Sequence, residues 1–87
     1  MAMPVLSMFY GIIIRMYFDD HNPPHFHAEY QGYKAQFDMD GNLLKGGLPK
    51  RQKKYVDVWA DIHRDELIAN WQIVHEDGEP FKIEPLR

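Results

Sequence analysis

Three histidines lie close together in the first third of the chain, at His21, His25 and His27. His25 and His27 are two residues apart, so on a strand both side chains point to the same face. His21 comes just before two consecutive prolines, and the rigid loop that they form lets its side chain reach back toward the other two. Three neutral imidazoles with an open fourth position suit zinc or another divalent transition metal. Glu29 or Asp38 would then serve as a further ligand or as the hydrogen-bond partner of a ligand.

The same histidines could instead act without a metal. A hydrogen bond to Asp38 would hold His25 in one tautomer, and His27 would supply the complementary acid or base in cleaving a phosphodiester. Tyr17 would add a phenol to this surface. In a third interpretation, His25 and His27 are surface residues of a strand that hydrogen-bond to their neighbours, and His21 caps the loop. Residue type and spacing leave the three interpretations open.

Positive charge is concentrated in one short segment. Five of the ten lysines and arginines fall within ten residues that contain no acid: Lys45, Lys50, Arg51, Lys53 and Lys54. The formal net charge of −3 therefore conceals a basic patch within an acidic chain. Most of these cations lie at the predicted start of a helix, where the helix dipole disfavours positive charge, and this points to binding of phosphate or of an acidic partner. Arg15 is a further candidate for this role, and the plain alternative is a solvated helix face.

Three alternating runs predict the strands that would carry the histidines, over residues 12–18, 25–30 and 33–39. A two-residue loop at positions 31 and 32 fixes the register of the second and third runs. This register pairs apolar residues with one another on one face and polar residues with one another on the opposite face, as cross-strand pairing favours.

The side chains that could bind a metal or transfer a proton are predicted to lie on the polar face of this meander. In the expected register His25 lies opposite Asp38, and the first run aligns so that Tyr17 comes near His27. Arg15 would similarly come near Glu29. The face left uncovered would carry these residues: Arg15, Tyr17, His25, His27, Glu29, Lys34, Gln36 and Asp38.

The rest of the chain is predicted to be mainly helical. Residues 43–49 have the composition of a glycine-rich connector, and the apolar spacing from Lys50 to about Glu76 indicates one long helix or two short helices that meet near His63. Residues 81–86 are typical of a short edge strand. The expected fold is therefore α+β: an antiparallel three-stranded meander plus a short C-terminal edge strand, packed on one face by the helices, in a single domain over residues 1–87.

Length and composition limit the kinds of function. With 87 residues and no cysteine, the chain excludes a separate cofactor-binding lobe, disulfides, cysteine-ligated zinc and a thiol nucleophile. Its core is small, so we expect a metal, a homo-oligomer or a partner protein to stabilise it. The apolar stretch over residues 8–16 is interrupted by Arg15 and has the features of neither a signal peptide nor a membrane span, which favours a cytoplasmic location.

The chain resembles the small bacterial family catalogued as domain of unknown function 4160. The segments that carry the resemblance are Asp20-His21-Asn22-Pro23-Pro24-His25-Phe26-His27-Ala28, Met8-Phe9-Tyr10-Gly11-Ile12, Leu48-Pro49-Lys50-Arg51 and His63-Arg64-Asp65-Glu66-Leu67 with Trp71. The resemblance implies a component of a two-gene module, encoded beside another small protein and acting with it as a toxin–antitoxin pair. It therefore implies a companion small protein as partner.

Two functional hypotheses follow. The first is a toxin-like component that acts on RNA or another phosphodiester, as a histidine-dependent nuclease-like hydrolase with His25, His27, Asp38 and Tyr17 at the active face. In this hypothesis phosphate is attracted by these cations: Lys50, Arg51, Lys53, Lys54 and Arg15. The alternative is a non-catalytic module that binds a metal, through His21, His25 and His27, or a partner protein.

Overall fold

An antiparallel sheet of five strands, in sequence order, and two helices make up the fold, in a computed structural model that describes residues 4–18 and 20–87. The elements are β1 (Val5–Phe9), β2 (Ile12–Arg15), β3 (His25–Tyr30), β4 (Tyr33–Asp38), β5 (Leu43–Gly46), α1 (Lys50–Ile62) and α2 (Arg64–His75). The expected α+β class is confirmed.

The β3–β4 hairpin has the predicted register at all six pairs, from Tyr30 opposite Tyr33 to His25 opposite Asp38. Gln31 and Gly32 form the two-residue loop with φ angles of 43° and 87°. Two successive positive φ angles twist the turn in the sense that the strands require. His27 lies opposite Gln36 in this ladder and opposite Arg15 of β2 on its other side.

One face of the sheet packs against the helices. Trp59 of α1 is fully buried, with its ring centroid 5.3 Å from that of Phe9 and 5.9 Å from that of Phe26. Each side chain of this size contributes roughly 1.5–3 kcal/mol through burial. Because successive strand residues alternate between faces, His27, Gln36 and their neighbours lie on the face that the helices do not cover.

The expected three-stranded meander is too small, because β1 and β5 add a strand at each edge. The apolar run around β1 has no clean alternation, and a turn at Tyr10 and Gly11, both with positive φ, divides it into two strands. The expected connector over residues 43–49 contains β5, whose four residues are all exposed, so no hydrophobic alternation marks it. The expected first strand also ends at Arg15 rather than at residue 18.

The predicted C-terminal edge strand is wrong. The segment over residues 81–86 makes one backbone hydrogen bond to the sheet, from the N–H of Ile83 to the carbonyl of Leu6 (2.8 Å). Side chains of the helices hold it otherwise: the Asn70 amide bonds the backbone of Phe81, and the Trp59 indole N–H donates to the carbonyl of Glu84.

Two helices, rather than one, follow the sheet and meet at His63. Asp65 and Glu66 occupy the first turn of α2, where the helix dipole favours negative charge. The far end of α2 brings Trp71 and His75 to the loop that joins β2 to β3. Within the residues that the structure describes, neither helix is long and apolar enough to cross a membrane.

Candidate metal centre

Asp20, His25 and His27 meet at one end of the sheet. Each offers one potential ligand atom, and the three atoms lie within 4.8 Å of one another. The Nε2 atom of His27 is 3.0 Å from Oδ2 of Asp20, and Nε2 of His25 is 3.5 Å from Oδ1. The side chains are 14%, 9% and 16% exposed, in that order. Two imidazoles and a carboxylate thus converge in a place with little access to water.

The positions of the two imidazoles follow from the strand. His25 and His27 are alternate residues of β3, so both side chains leave the same face, and their ring centroids are 5.1 Å apart. Nδ1 of His25 donates to the carbonyl of Pro23 at 2.8 Å. In the neutral ring this bond places the proton on Nδ1, which leaves the lone pair of Nε2 directed at Asp20.

A loop and a helix hold Asp20 in place. Oδ2 of Asp20 accepts the backbone N–H of Tyr17 at 3.2 Å. His75, at the end of α2, lies between two carbonyl oxygens: Nε2 is 2.7 Å from that of Asp20, and Nδ1 is 2.8 Å from that of Trp71. The ring of Trp71 packs beside His25, with centroids 5.4 Å apart. The end of α2 therefore fixes the loop that carries the carboxylate.

The surroundings favour neutral side chains beside the carboxylate. Burial lowers the pKa of His27, and this effect outweighs the neighbouring Asp20 charge, which acts in the opposite direction. The Tyr17 ring lies edge-on to His27, with centroids 4.4 Å apart, and burial followed by the charge of Glu29 raises the pKa of its phenol. Near neutral pH, His27 is therefore an imidazole that can bind a metal or accept a proton, and Tyr17 is a protonated phenol.

A cleft of about 240 Å³ runs along the open face of the sheet beside this cluster. His27 and Tyr17 are among the residues that line it. Lys34 of β4, Gln36 of β4 and Lys45 of β5 line the rest, together with Glu29 and small residues. His27 is the member of the cluster that faces the cleft, so this residue joins the two features.

The predicted neighbours on the open face are confirmed in two cases and wrong in one. Tyr17 lies against His27, and the Nε atom of Arg15 is 3.0 Å from Oε2 of Glu29. The predicted hydrogen bond between His25 and Asp38 does not form, although the two residues are opposite each other in the ladder.

The Asp38 carboxylate instead caps the turn that follows β4. Oδ1 accepts the backbone N–H groups of Asp40 and Asn42, each at 2.9 Å, and Oδ2 accepts the Asn42 amide at 3.1 Å. Burial would raise the pKa of Asp38, but these hydrogen bonds together lower it. These donors are only two and four residues away along the chain, and aspartate favours such local hydrogen bonds.

His21 is exposed and lies outside the cluster, where Asp20 provides the third donor atom. Glu29, expected as a further ligand, is paired with Arg15. Asp20 is the residue that the sequence analysis missed. Its signal in the sequence is a carboxylate five residues before His25, in the loop that the two prolines stiffen.

The cations of the basic segment differ in their surroundings. Lys50, Arg51 and Lys54 are exposed, and none of them pairs with an acid of the described part of the chain. Lys53 makes an ion pair with Asp57 of the same helix at 3.0 Å. Lys45 is the member of this segment that lines the cleft. A role of the segment in binding phosphate or a partner stays a prediction.

The family model described as Domain of unknown function (DUF4160) matches residues 11–72. This range runs from the turn after β1 into α2, and it contains all three residues of the cluster. No curated protein and no solved structure matches the chain.

Proposed function

The chain belongs to the family described as Domain of unknown function (DUF4160). From the geometry of its site, we propose that it is a metal-binding protein. Its Asp20, His25 and His27 hold one divalent transition-metal ion. The observation that carries this proposal is the convergence of three donor atoms from these residues within 4.8 Å.

The spacing of the donor atoms fits a common centre. Metal bonds to imidazole nitrogen and carboxylate oxygen are about 2.0–2.2 Å long, so neighbouring ligands of one ion lie roughly 3–3.5 Å apart. The distances from the Asp20 oxygens to the two Nε2 atoms, 3.0 and 3.5 Å, fall in this range. The two imidazole nitrogens lie at most 4.8 Å apart, and an ion bound between them would displace the proton that Nε2 of His27 shares with Asp20.

The kind of donor selects the kind of metal. Calcium and magnesium prefer oxygen ligands, whereas two imidazoles and a carboxylate suit zinc, iron and their neighbours in the first transition series. Metal-binding histidines also donate their second ring N–H to a fixed acceptor, which orients the ring. The bond from Nδ1 of His25 to the carbonyl of Pro23 supplies such an acceptor.

Three protein ligands leave a coordination position open. A bound metal of this kind makes water a nucleophile near neutral pH. His27 lines the cleft, so a molecule bound in the cleft would lie beside one of the three proposed ligands. This arrangement supports a catalytic centre better than a purely structural one, because structural zinc sites have four protein ligands.

Metal titration of the purified, untagged protein tests the proposal. Calorimetry with zinc, and visible spectroscopy with cobalt, should give one ion per chain. His27→Ala and Asp20→Asn should each weaken binding by more than about a hundredfold, since loss of an outer partner alone costs 10–100-fold. His21→Ala is the matched control and should bind as the wild type does, with circular dichroism confirming the fold of each variant.

The control separates the two possible ligand sets. If His21→Ala abolishes binding while Asp20→Asn does not, the proposed site is wrong and the three-histidine site expected from the sequence replaces it. Failure of the wild-type protein to bind zinc or cobalt would overturn the proposal outright.

We further propose that this centre serves a toxin-like component of a two-gene module. The cleft beside His27 supports this proposal, because a molecule bound there would lie next to the proposed metal ligands. Expression of the protein alone in a bacterium should arrest growth, and co-expression of the protein encoded beside it should restore growth. His27→Ala and Asp20→Asn should lose the arrest at unchanged expression, and His21→Ala should keep it. If growth arrest persists in His27→Ala and Asp20→Asn, toxicity does not depend on the cluster.

A further inference from the structure

Two lysines, Lys34 and Lys45, line the cleft beside His27. Lys34 and Lys45 are exposed, and neither forms an ion pair with a residue in 4–18 or 20–87. Glu29 lies opposite Lys34 in the ladder and also lines the cleft, but its carboxylate binds Arg15 at 3.0 Å. The cleft therefore has an excess of positive charge, on a chain whose formal net charge is −3.

The register places these groups in a row that begins at the cluster. His27 of β3 lies opposite Gln36 of β4, which lies opposite Lys45 of β5. Neighbouring strands are about 4.8 Å apart, so the backbone of Lys45 is roughly 10 Å from that of His27. Residues directly opposite each other point to the same side, and Lys34 shares this side because it is two residues from Gln36. A molecule that reaches His27 along the sheet therefore passes both lysines and the Gln36 amide.

The size and openness of the cleft indicate part of a polymer rather than a whole small ligand. Its volume of about 240 Å³ is below the 300–1,000 Å³ that is usual for pockets that enclose a ligand. It lies along a sheet face that the helices leave open, so a chain can continue beyond it at either end. Lys34 and Lys45 are one strand and two residues apart, a separation that suits successive negative charges along such a chain.

We infer that this cleft binds a single-stranded nucleic acid through its phosphodiester backbone, between Lys34, Lys45 and the metal centre. The lysines neutralise phosphate oxygens, the Gln36 amide can donate to or accept from the sugar and phosphate, and the strand leads one phosphodiester to the open position beside His27. The inference rests on the proposed metal centre for the identity of that position. The two lysines carry the strand binding itself.

Fluorescence anisotropy with a short labelled single-stranded RNA tests the inference. The zinc-loaded protein should bind the strand, and the double variant Lys34→Ala/Lys45→Ala should bind it about tenfold more weakly. The slope of log affinity against log salt should fall by about 1.4, because each phosphate contact to a single strand contributes about 0.7. Lys50→Ala/Arg51→Ala removes the same charge outside the cleft, and it should weaken binding less than twofold.

Competitors then identify the source of the phosphate. Unlabelled RNA and DNA strands should both displace the probe, whereas a mononucleotide or inorganic phosphate at the same phosphate concentration should not. Equal competition by inorganic phosphate would overturn the inference and leave an anion site only. An equal or larger loss in Lys50→Ala/Arg51→Ala would also overturn it, and would move the binding surface to the start of α1.

The experiments distinguish failure of the inference from failure of the metal proposal. Zinc titration of Lys34→Ala/Lys45→Ala should give the wild-type affinity, since neither lysine is in the cluster. Unchanged strand binding by that variant would overturn the strand site and leave the metal centre standing. Lysine-dependent strand binding by a wild-type protein that binds no zinc would overturn the metal centre and keep the strand site.

Discussion

At one end of the sheet, the polar atoms of Asp20, His25 and His27 lie within 4.8 Å of one another. At the start of α1, by contrast, Lys50, Arg51 and Lys54 are exposed to solvent. The difference begins in local geometry. Alternate strand residues share a face, so a loop need bring in one further group to complete a cluster. On α1, residues three or four apart share a face, so Lys50 and Lys54 are neighbours, but two like charges repel each other and do not converge on one point.

The two regions also differ in what their placement costs. The side chains of the cluster are 9–16% exposed, and burial of ionisable groups is unfavourable unless hydrogen bonds or a metal compensate. The Lys53 and Asp57 side chains are 40% and 39% exposed, so the Lys53 ammonium keeps much of its contact with water whether or not it pairs. An unfavourable arrangement that the fold maintains is stronger evidence of a function than an exposed one that costs little.

Gly46 is the last residue of β5, between Lys45, which lines the cleft, and the start of α1. Its substitution should have the largest effect on stability. The residue has a φ of +73°, and a Cβ atom there would lie 2.1 Å from the carbonyl oxygen of Lys34. Gly46→Ala should therefore lower the free energy of unfolding by about 3 kcal/mol, from backbone strain and a clash with β4. For a domain of this size the melting temperature should fall by at least about 10 °C.

Gly47→Ala is the matched control for this change. A Cβ atom at Gly47 meets no atom within 4 Å, so thermal unfolding should stay close to that of the wild type. If both variants melt together, the close approach of β5 to β4 is not what holds Lys45 on the cleft.

His75 tests whether the cluster depends on α2. His75→Ala removes the contact to the Asp20 carbonyl, so zinc affinity should fall by about tenfold, as for other partners that orient a ligand. His63→Ala is the control at the opposite end of α2, since His63 directly precedes that helix, pairs with Glu66 and packs against Trp59. Calorimetry at a temperature where both variants are folded measures the effect. An equal loss in His63→Ala would mean that α2 acts through overall stability and not through Asp20.

The sequence predicted the two regions unequally well, for physical reasons. The β3–β4 hairpin was predictable because a two-residue turn fixes every pair, and this register brings Gln36 and His27 together. Edge strand β5 was not predictable, because none of its residues is buried and hydrophobic alternation is therefore missing.

The members of the cluster were predictable only in part. The alternation of β3 identified His25 and His27, but the third donor depends on how the loop before β3 folds, which depends on α2 through His75. Asp38 was misassigned because local N–H groups compete for a carboxylate more effectively than a residue across the ladder. Partners of the chain, a companion protein or a second copy, stay predictions.

Asp38 tests this distinction between a carboxylate that serves a turn and one that serves a cluster. Its pKa is lowered in the folded protein, so its contribution to stability is complete above the unfolded value of about 3.9 and is lost as the pH falls through the folded value. Asp38→Asn should be less stable at neutral pH by about 1 kcal/mol and should lose less stability below about pH 4.

Acid unfolding followed by circular dichroism measures this difference. Asn42→Ala keeps the carboxylate and removes one of its donors, so it should show an intermediate profile. Zinc affinity should stay unchanged in both variants. A wild-type acid profile in Asp38→Asn would show that another group determines the loss of stability below about pH 4. A loss of zinc affinity would show that Asp38 contributes to metal binding after all.

Lys53→Ala should have the smallest effect, and it tests the other side of the comparison. The ion pair with Asp57 is partly exposed and spans one helical turn, so its removal should cost about 0.3–0.5 kcal/mol, a difference that high salt should reduce. Lys54→Ala, at an exposed position without such a pair in the described residues, controls for the loss of charge. Chemical denaturation at low and high salt measures both. A loss above about 1 kcal/mol for Lys53→Ala would exceed what an exposed pair contributes. The start of α1 would then be an organised site, and the contrast between its solvated cations and the converging groups of the cluster would fail.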